Sequence, residues 1–336
     1  MAKPFASLSL DLDNQWSYMK TGAIAGWESF PSYFDVAVPR ILSAFDRYGL
    51  TATVFVVGQD AALEPNRKYL RRIADAGHEI GNHSFFHEPW LNCQSAPSIA
   101  EELARAHDAI LAATGQAPVG FRGPGFSIST ALLQALTQLG YRYDASTFPT
   151  FIGPLARAYY FLTSGFSDGE KQTRAHLFGS LADGLRPLRP YRWTVDGMGV
   201  VELPVSTIPL IRAPFHFTYL SFLAGISLAM AIAYFRVALT MCRLAGVQPS
   251  LLLHPLDFLG GDDIGCLSGF PGMRMNANAK LALMEKVLDI YARSFEVVPL
   301  REHCARAEAA GLRDIEPSFA VDAFPALTDG LQEQVS

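Results

Sequence analysis

The stretch FDVAVPRILSAFDRYGLTATVFVV, residues 34–57, decides the fold. Phe34, Val38, Ile41, Leu42 and Phe45 recur at helical spacing, Gly49 closes that pattern, and Thr51–Val57 is a β-branched run that reads as a strand. An earlier strand at Ala6–Asp11 makes the unit strand, helix, strand. Outward from it the alternation continues with a helix at Lys68–Ala76, a strand at Glu79–His83 and a helix at Ile99–Ala113 whose Glu101, Glu102 and Arg105 face water. A strand at Val119–Arg122, a helix at Ala131–Leu139 and extended Tyr141–Asp144 follow. Later strands fall at Val200–Val205, Ser250–His254 and Phe295–Pro299, with a helix at Ala277–Ala292. Such a rhythm predicts an α/β fold, a distorted parallel (β/α)7-8 barrel, for which about 250 residues is typical. An open doubly wound sheet is the alternative, but it lacks its nucleotide signatures: no Gly-x-Gly-x-x-Gly follows the first strand and no Gly-x-x-x-x-Gly-Lys-Ser/Thr occurs.

Composition narrows the function. With 50% hydrophobic and 18% charged residues in 336, intrinsic disorder is excluded, and a formal net charge of −5 offers no basic field for nucleic acid. Four scattered cysteines, Cys93, Cys242, Cys266 and Cys304, form no Cys-x-x-Cys pair and read as reduced structural thiols. The N-terminal residues reach Asp11 without an uninterrupted apolar signal segment, so cytoplasmic residence is expected, with association at the inner membrane face as an option.

The mean hydropathy of +0.17 is high for so few charges. Much of the excess lies in Phe215–Phe235, between Arg212 and Arg236, which reaches the roughly 20 residues a bilayer core demands. His216, Thr218, Ser221 and Ser227 dilute it, and a span there would leave the barrel's last strands across the membrane from its first. A buried barrel or subunit-interface helix is the expectation; an apolar helix lying on a membrane or lining an acyl-chain groove is the alternative. The layout is thus one barrel over residues 1–312, an insertion at 149–190, an apolar helical segment at 211–245 and a C-terminal tail at 313–336.

Four polar clusters end predicted strands, where a parallel barrel places its active site. Asp11-Leu12-Asp13 leaves the first strand with two carboxylates able to turn into the mouth. His83 and His87 have the spacing of two imidazoles on one face of a helical turn, and with Asp13 they make a two-His-one-carboxylate set with open positions. Arg122, in Phe121-Arg122-Gly123-Pro124-Gly125, suits a carboxylate held bidentately. His254, ending the apolar strand Leu251–Leu253, suits protonation of a leaving amine. Each motif alone also fits a plain structural role. Their ordered conjunction is what separates the readings.

That order, together with Gly140-Tyr141-Arg142-Tyr143-Asp144-Ala145-Ser146, resembles the polysaccharide deacetylase family, the NodB-homology or carbohydrate esterase family 4 hydrolases, over roughly Leu8 to Leu312. The resemblance implies a NodB-type, TIM-like barrel that removes an N-acyl group, acetyl or formyl, from an amino sugar, a polysaccharide or a lipid-linked sugar. It implies one divalent metal, zinc foremost with cobalt, nickel, manganese or iron as alternatives, held by Asp13, His83 and His87. By the same resemblance Asp11 is the general base, Arg122 the residue orienting it and His254 the general acid.

The first motif is Asp-x-Asp where many members carry adjacent aspartates, a spacing that resembles the subgroup holding peptidoglycan-deacetylase-like and allantoinase-like proteins. A non-sugar C–N amide hydrolase on the same barrel and a non-catalytic saccharide-binding member therefore stay open. The motif that often supplies an Asp and a Trp behind the base is weak here, and Glu202, with Asp196 as competitor, is expected in or near the pocket. Asn82 and Trp90 are expected to shape it as substrate contacts. Asp257, Asp262 and Asp263 read as loop-holding carboxylates. His78, His107, His176, His216 and His303 read as structural or surface residues. A homo-oligomer and peripheral membrane contact through 215–235 are further expectations.

Overall fold

The computed structural model describes residues 3–151 and 181–323. Its strands are β1 (Phe5–Leu12), β2 (Thr53–Val56), β3 (Glu79–Asn82), β4 (Gly120–Phe121), β5 (Tyr143–Asp144), β6 (Tyr191–Val195), β7 (Met198–Glu202), β8 (Ser250–Leu253), β9 (Glu296–Val298) and β10 (Asp314–Ile315). They form one sheet in the order β10-β6-β7-β5-β4-β3-β2-β1-β8, with β9 beside β1, and every pairing is parallel except β6 with β7. Just past β7 the chain closes the ring: Ser206 N donates to Ser250 O at 3.2 Å and Ser250 N donates to Ser206 Oγ at 2.7 Å. The expected parallel barrel is therefore the observed one, with β6 and β10 extending it outside the ring.

Sequence period explains which face each strand buries. Along β1, Leu8, Leu10 and Leu12 face the outer layer, where they share a core with Phe34, Val38, Ile41 and Phe45 of helix α2 (Phe34–Arg47), which follows the short α1 (Gln15–Thr21). The alternate residues Ser7 and Ser9 are buried on the other face, and Ser9 Oγ accepts from Arg122 within the ring. Phe55 of β2, Tyr143 of β5 and Val201 of β7 pack with Leu300 and Cys304 of the late helix 300–310, which the sequence reading left out.

Glycines make room for two of these rings. A Cβ on Gly120 would lie 1.9 Å from the Tyr143 ring, and one on Gly81 would lie 2.5 Å from Phe55. Tyr143 is itself held by its hydroxyl, which donates to Glu79 Oε1 at 2.9 Å. Gly120→Ala is expected to lower unfolding free energy by about 1–3 kcal/mol through overpacking, read as a shift in urea midpoint. An unchanged midpoint would show that the Tyr143 ring can move aside without cost.

Two expectations are corrected here. The segment 215–235 is not one buried helix: it divides at Ser227, extended at φ −158, whose Oγ accepts from Met230 N and caps the second piece. Serine competes with the helical backbone and so ends one helix and starts the next. The first described part of the C-terminal tail is not loose at the surface either, since Asp314–Ile315 pairs with β6 and Phe319 is buried against Trp193. Most of the 149–190 insertion lies outside the described residues.

Candidate active site

Asp11, on β1, and Asp13, just past it, emerge on one face because their spacing matches the strand period. Asp13 Oδ1 lies 3.0 Å from His87 Nε2 and 3.3 Å from His83 Nε2, and the two imidazole rings are 5.1 Å apart. The three ligand atoms converge within 4.8 Å of one another. The pair is not on a helical turn as its spacing suggested. It sits in a loop after β3 in which Ser84 and His87 take positive φ, 61° and 56°, and this folds His87 back over His83.

Glu102 holds that loop. Read from sequence as water-facing, it is buried, and its Oε1 accepts from Phe86 N at 3.1 Å and Phe85 N at 3.3 Å. His83 Nδ1 donates to Arg122 O at 2.6 Å, which leaves Nε2 as the lone-pair nitrogen facing Asp13. Burial pushes the Asp13 carboxyl up, but the His87 and His83 imidazoles outweigh it and hold the group well below the usual carboxylate range. An ionised oxygen that is buried and lacks a hydrogen-bond partner, Asp13 Oδ1, beside two aimed imidazole nitrogens fits a divalent cation of the zinc type.

Asp11 lies next to this cluster and between two other groups. Its Oδ1 accepts from Arg122 Nη1 at 2.7 Å, and its Oδ2 is 3.9 Å from His254 Nε2. Arg122 is wholly buried: Nη1 also donates to Ser9 Oγ at 2.9 Å, Nε donates to Ala145 O at 2.9 Å, and the guanidinium stacks 4.5 Å from the Phe55 ring centre. His254 retains some solvent access. Behind it, Asp257 Oδ2 accepts from His254 N at 2.8 Å and lies 3.9 Å from Nδ1, so this loop carboxylate also faces the imidazole.

Glu202 is not a pocket contact. It is fully buried in the barrel wall, where Oε1 accepts from Thr147 N and Oε2 from Trp193 Nε1, both at 2.9 Å. Burial, reinforced by the neighbouring Asp144, pushes its carboxyl well up. Asp144 in turn accepts from Ser146 Oγ at 2.6 Å, and Ser146 accepts from Gly123 N at 2.8 Å. The pair therefore braces the backbone that fixes Arg122. Asp196 is exposed in the β6–β7 turn, bonded to Gln134 at 2.9 Å.

Asn82 also turns away from the expected role. Its Nδ2 donates to Tyr141 Oη and Leu103 O, and its Oδ1 accepts from Ser84 N, so it fastens the histidine loop. Trp90 is buried in that loop, three residues after His87. His216, which has no partner motif, reads from sequence as a structural or surface residue. It is buried with its ring 6.2 Å from His254, and burial, with the nearby His254 and Arg122 charges, drives its pKa down to about 3. It is a neutral imidazole beside the candidate acid, stacked near Phe148 and Tyr219.

Comparison with known proteins agrees with this geometry. Residues 27–143 match the polysaccharide deacetylase family model, a stretch that contains His83, His87 and Arg122 but not Asp11, Asp13 or His254. The chain is 33% identical over 112 residues to the peptidoglycan deacetylase of Helicobacter pylori, covering 33% of this chain and 37% of that protein. It is likewise 33% identical over 105 residues to the peptidoglycan-N-acetylmuramic acid deacetylase of Bacillus subtilis, covering 31% and 39%. The chain thus spans well under half the length of these relatives. At the level of fold, a Mycobacterium smegmatis crystal structure named for the polysaccharide deacetylases superposes with a TM-score of 0.59 at 21% identity, covering 95% of this chain and 97% of that one. Residues 27–143 thus resemble the polysaccharide deacetylase family in sequence, and the barrel shares its fold with the Mycobacterium smegmatis structure.

Proposed function

We propose that the protein is a metal-dependent hydrolase that removes a small N-acyl group from an amino sugar. The observation that carries this reading is the contact of two sets: the Asp13, His83 and His87 cluster, and the Asp11 carboxylate suspended between Arg122 and His254. Relatives named as deacetylases of peptidoglycan and of chitooligosaccharide support the substrate class.

Asp13, His83 and His87 would hold the cation through Oδ1 and the two Nε2 atoms. Bound there, a divalent ion supplies Lewis-acid polarisation of the amide carbonyl and a lowered pKa for attacking water. Asp11 takes the proton from that water on Oδ2, because Oδ1 is committed to Arg122. Arg122 keeps the carboxylate in one orientation. His254 gives its Nε2 proton to the departing nitrogen, with the Asp257 carboxylate behind the ring, 3.9 Å from Nδ1. His216 forms a wall beside His254, on the side of the departing amino group.

The test joins metal analysis of the purified protein to an acetate and formate release screen over N-acylated amino sugars, free, polymeric and lipid-linked. Near-stoichiometric metal with activity that chelator removes and zinc restores is the expected outcome. Full turnover in metal-free protein would refute the mechanism, and metal without turnover on any amino-sugar amide would refute the substrate class.

A further inference from the structure

Ser227 splits the apolar segment into α3 (Phe217–Ile226) and α4 (Leu228–Leu244), and among the described residues no helix is long and apolar enough to cross a membrane. The inner faces of both are seated: Phe217, Leu220, Phe235 and Leu239 belong to the main core. The outer faces meet at an uncovered tip. Phe222 is 67% and Ile226 69% exposed, with Leu228 and Met230 exposed immediately after the break. No charged residue occurs between them. A contiguous apolar patch of this kind marks an interaction surface.

Charge identifies what it meets. Residues 203–256 contain no Asp or Glu, although the chain as a whole carries a net −5; their charged residues are Arg212, Arg236 and Arg243. Arg236 and Arg243 lie behind the tip on α4 and, with Arg293, line a cleft of about 360 Å³ whose one carboxylate, Asp289, is already bonded to Arg293 at 2.8 Å. Arg236 follows Leu228 by eight residues, about 12 Å of helix rise. Apolar residues inserted about 5–10 Å into an interface would bring such a cation to the level of lipid phosphates. A second copy docking symmetrically through this face would instead gather arginines with no carboxylate of the segment to meet them.

We propose that the α3–α4 tip is a docking surface for an anionic bilayer, with Phe222, Ile226, Leu228 and Met230 entering the acyl boundary, Arg236 at the near end of the arginine cleft meeting lipid phosphate groups and Arg243 adding longer-range attraction. Helix α3 is capped at its start by His216, the ring beside His254, so the docking helix is tied to the wall of the site. On the deacylase reading, on which this last step rests, the substrate is an amino sugar carried on a lipid.

Docking is tested without reference to catalysis by sedimentation with vesicles of phosphatidylglycerol and phosphatidylcholine, or of phosphatidylcholine alone, for the intact chain, Phe222→Glu/Ile226→Glu and Arg236→Glu/Arg243→Glu. The intact chain is expected to pellet with anionic vesicles and to be released by salt. Each double variant should bind roughly tenfold less or weaker still, with an unchanged circular dichroism spectrum. The proposal is overturned if the intact chain ignores anionic vesicles, if Phe222→Glu/Ile226→Glu pellets as well as it does, or if sedimentation velocity shows a dimer that this variant disperses.

Discussion

His83→Ala and His87→Ala are each expected to lose bound metal and, with it, at least about 10³-fold in turnover, whereas Asp11→Asn and His254→Ala keep stoichiometric metal and still lose roughly 10²–10⁴-fold. The contrast follows from the geometry. His83 has one nitrogen committed to Arg122 O and the other facing Asp13, so alanine there removes a ligand that its surroundings had already oriented. Asp11 and His254 touch each other's carboxylate and ring edge, and neither is among the three converging donors. Metal content by plasma mass spectrometry, set beside acyl release on the same preparations, separates the two classes. Equal metal in all four variants would show that the cluster is not the binding site.

Arg122→Met is expected to cost about 3–5 kcal/mol of unfolding free energy, the largest stability loss of any single change suggested for this molecule. The arginine is wholly buried and neutralises a carboxylate that is only 4% exposed; removing it strands Asp11 inside the barrel. Lysine is not expected to rescue it, since one ammonium cannot bond Asp11, Ser9 and Ala145 while stacking on Phe55. Urea titration of Arg122→Met and of Arg122→Met/Asp11→Asn tests the cause: the second substitution should recover part of the loss by removing the stranded charge. A loss below about 1 kcal/mol, or no recovery, would place the role of Arg122 outside charge compensation.

The candidate metal ligands and the carboxylate-arginine pair were legible as residues, and their chemistry as a set, because each closes a strand and the parallel barrel brings strand ends together. What surrounds them was not. Glu102 looked solvent-facing on an amphipathic helix, yet it is buried beneath the Phe85–Phe86 backbone. Glu202 looked like a strand-end pocket carboxylate and is instead buried in the barrel wall, bonded to Thr147 and Trp193. One missed element had left a local signal: β6 pairs with β7 across Asp196-Gly197, both at positive φ, the Asp-Gly turn that marks a two-residue hairpin. His216 had left none, since its place beside His254 depends on how a later segment crosses the barrel mouth.

The amino-acid sequence by itself determined the alternation of strand and helix, the parallel architecture and the identity of the candidate groups for chemistry, because periodicity and strand-end position are short-range properties carried by neighbouring residues. Only the tertiary structure decided which of those groups touch. Asp11 and Arg122 meet from 111 residues apart, His87 reaches Asp13 through a loop bent at two positive φ angles, and the apolar run parts at Ser227 to show one face to the core and the other outward. Those outcomes depend on burial and on hydrogen bonds between distant segments, which exist only once the ring has closed.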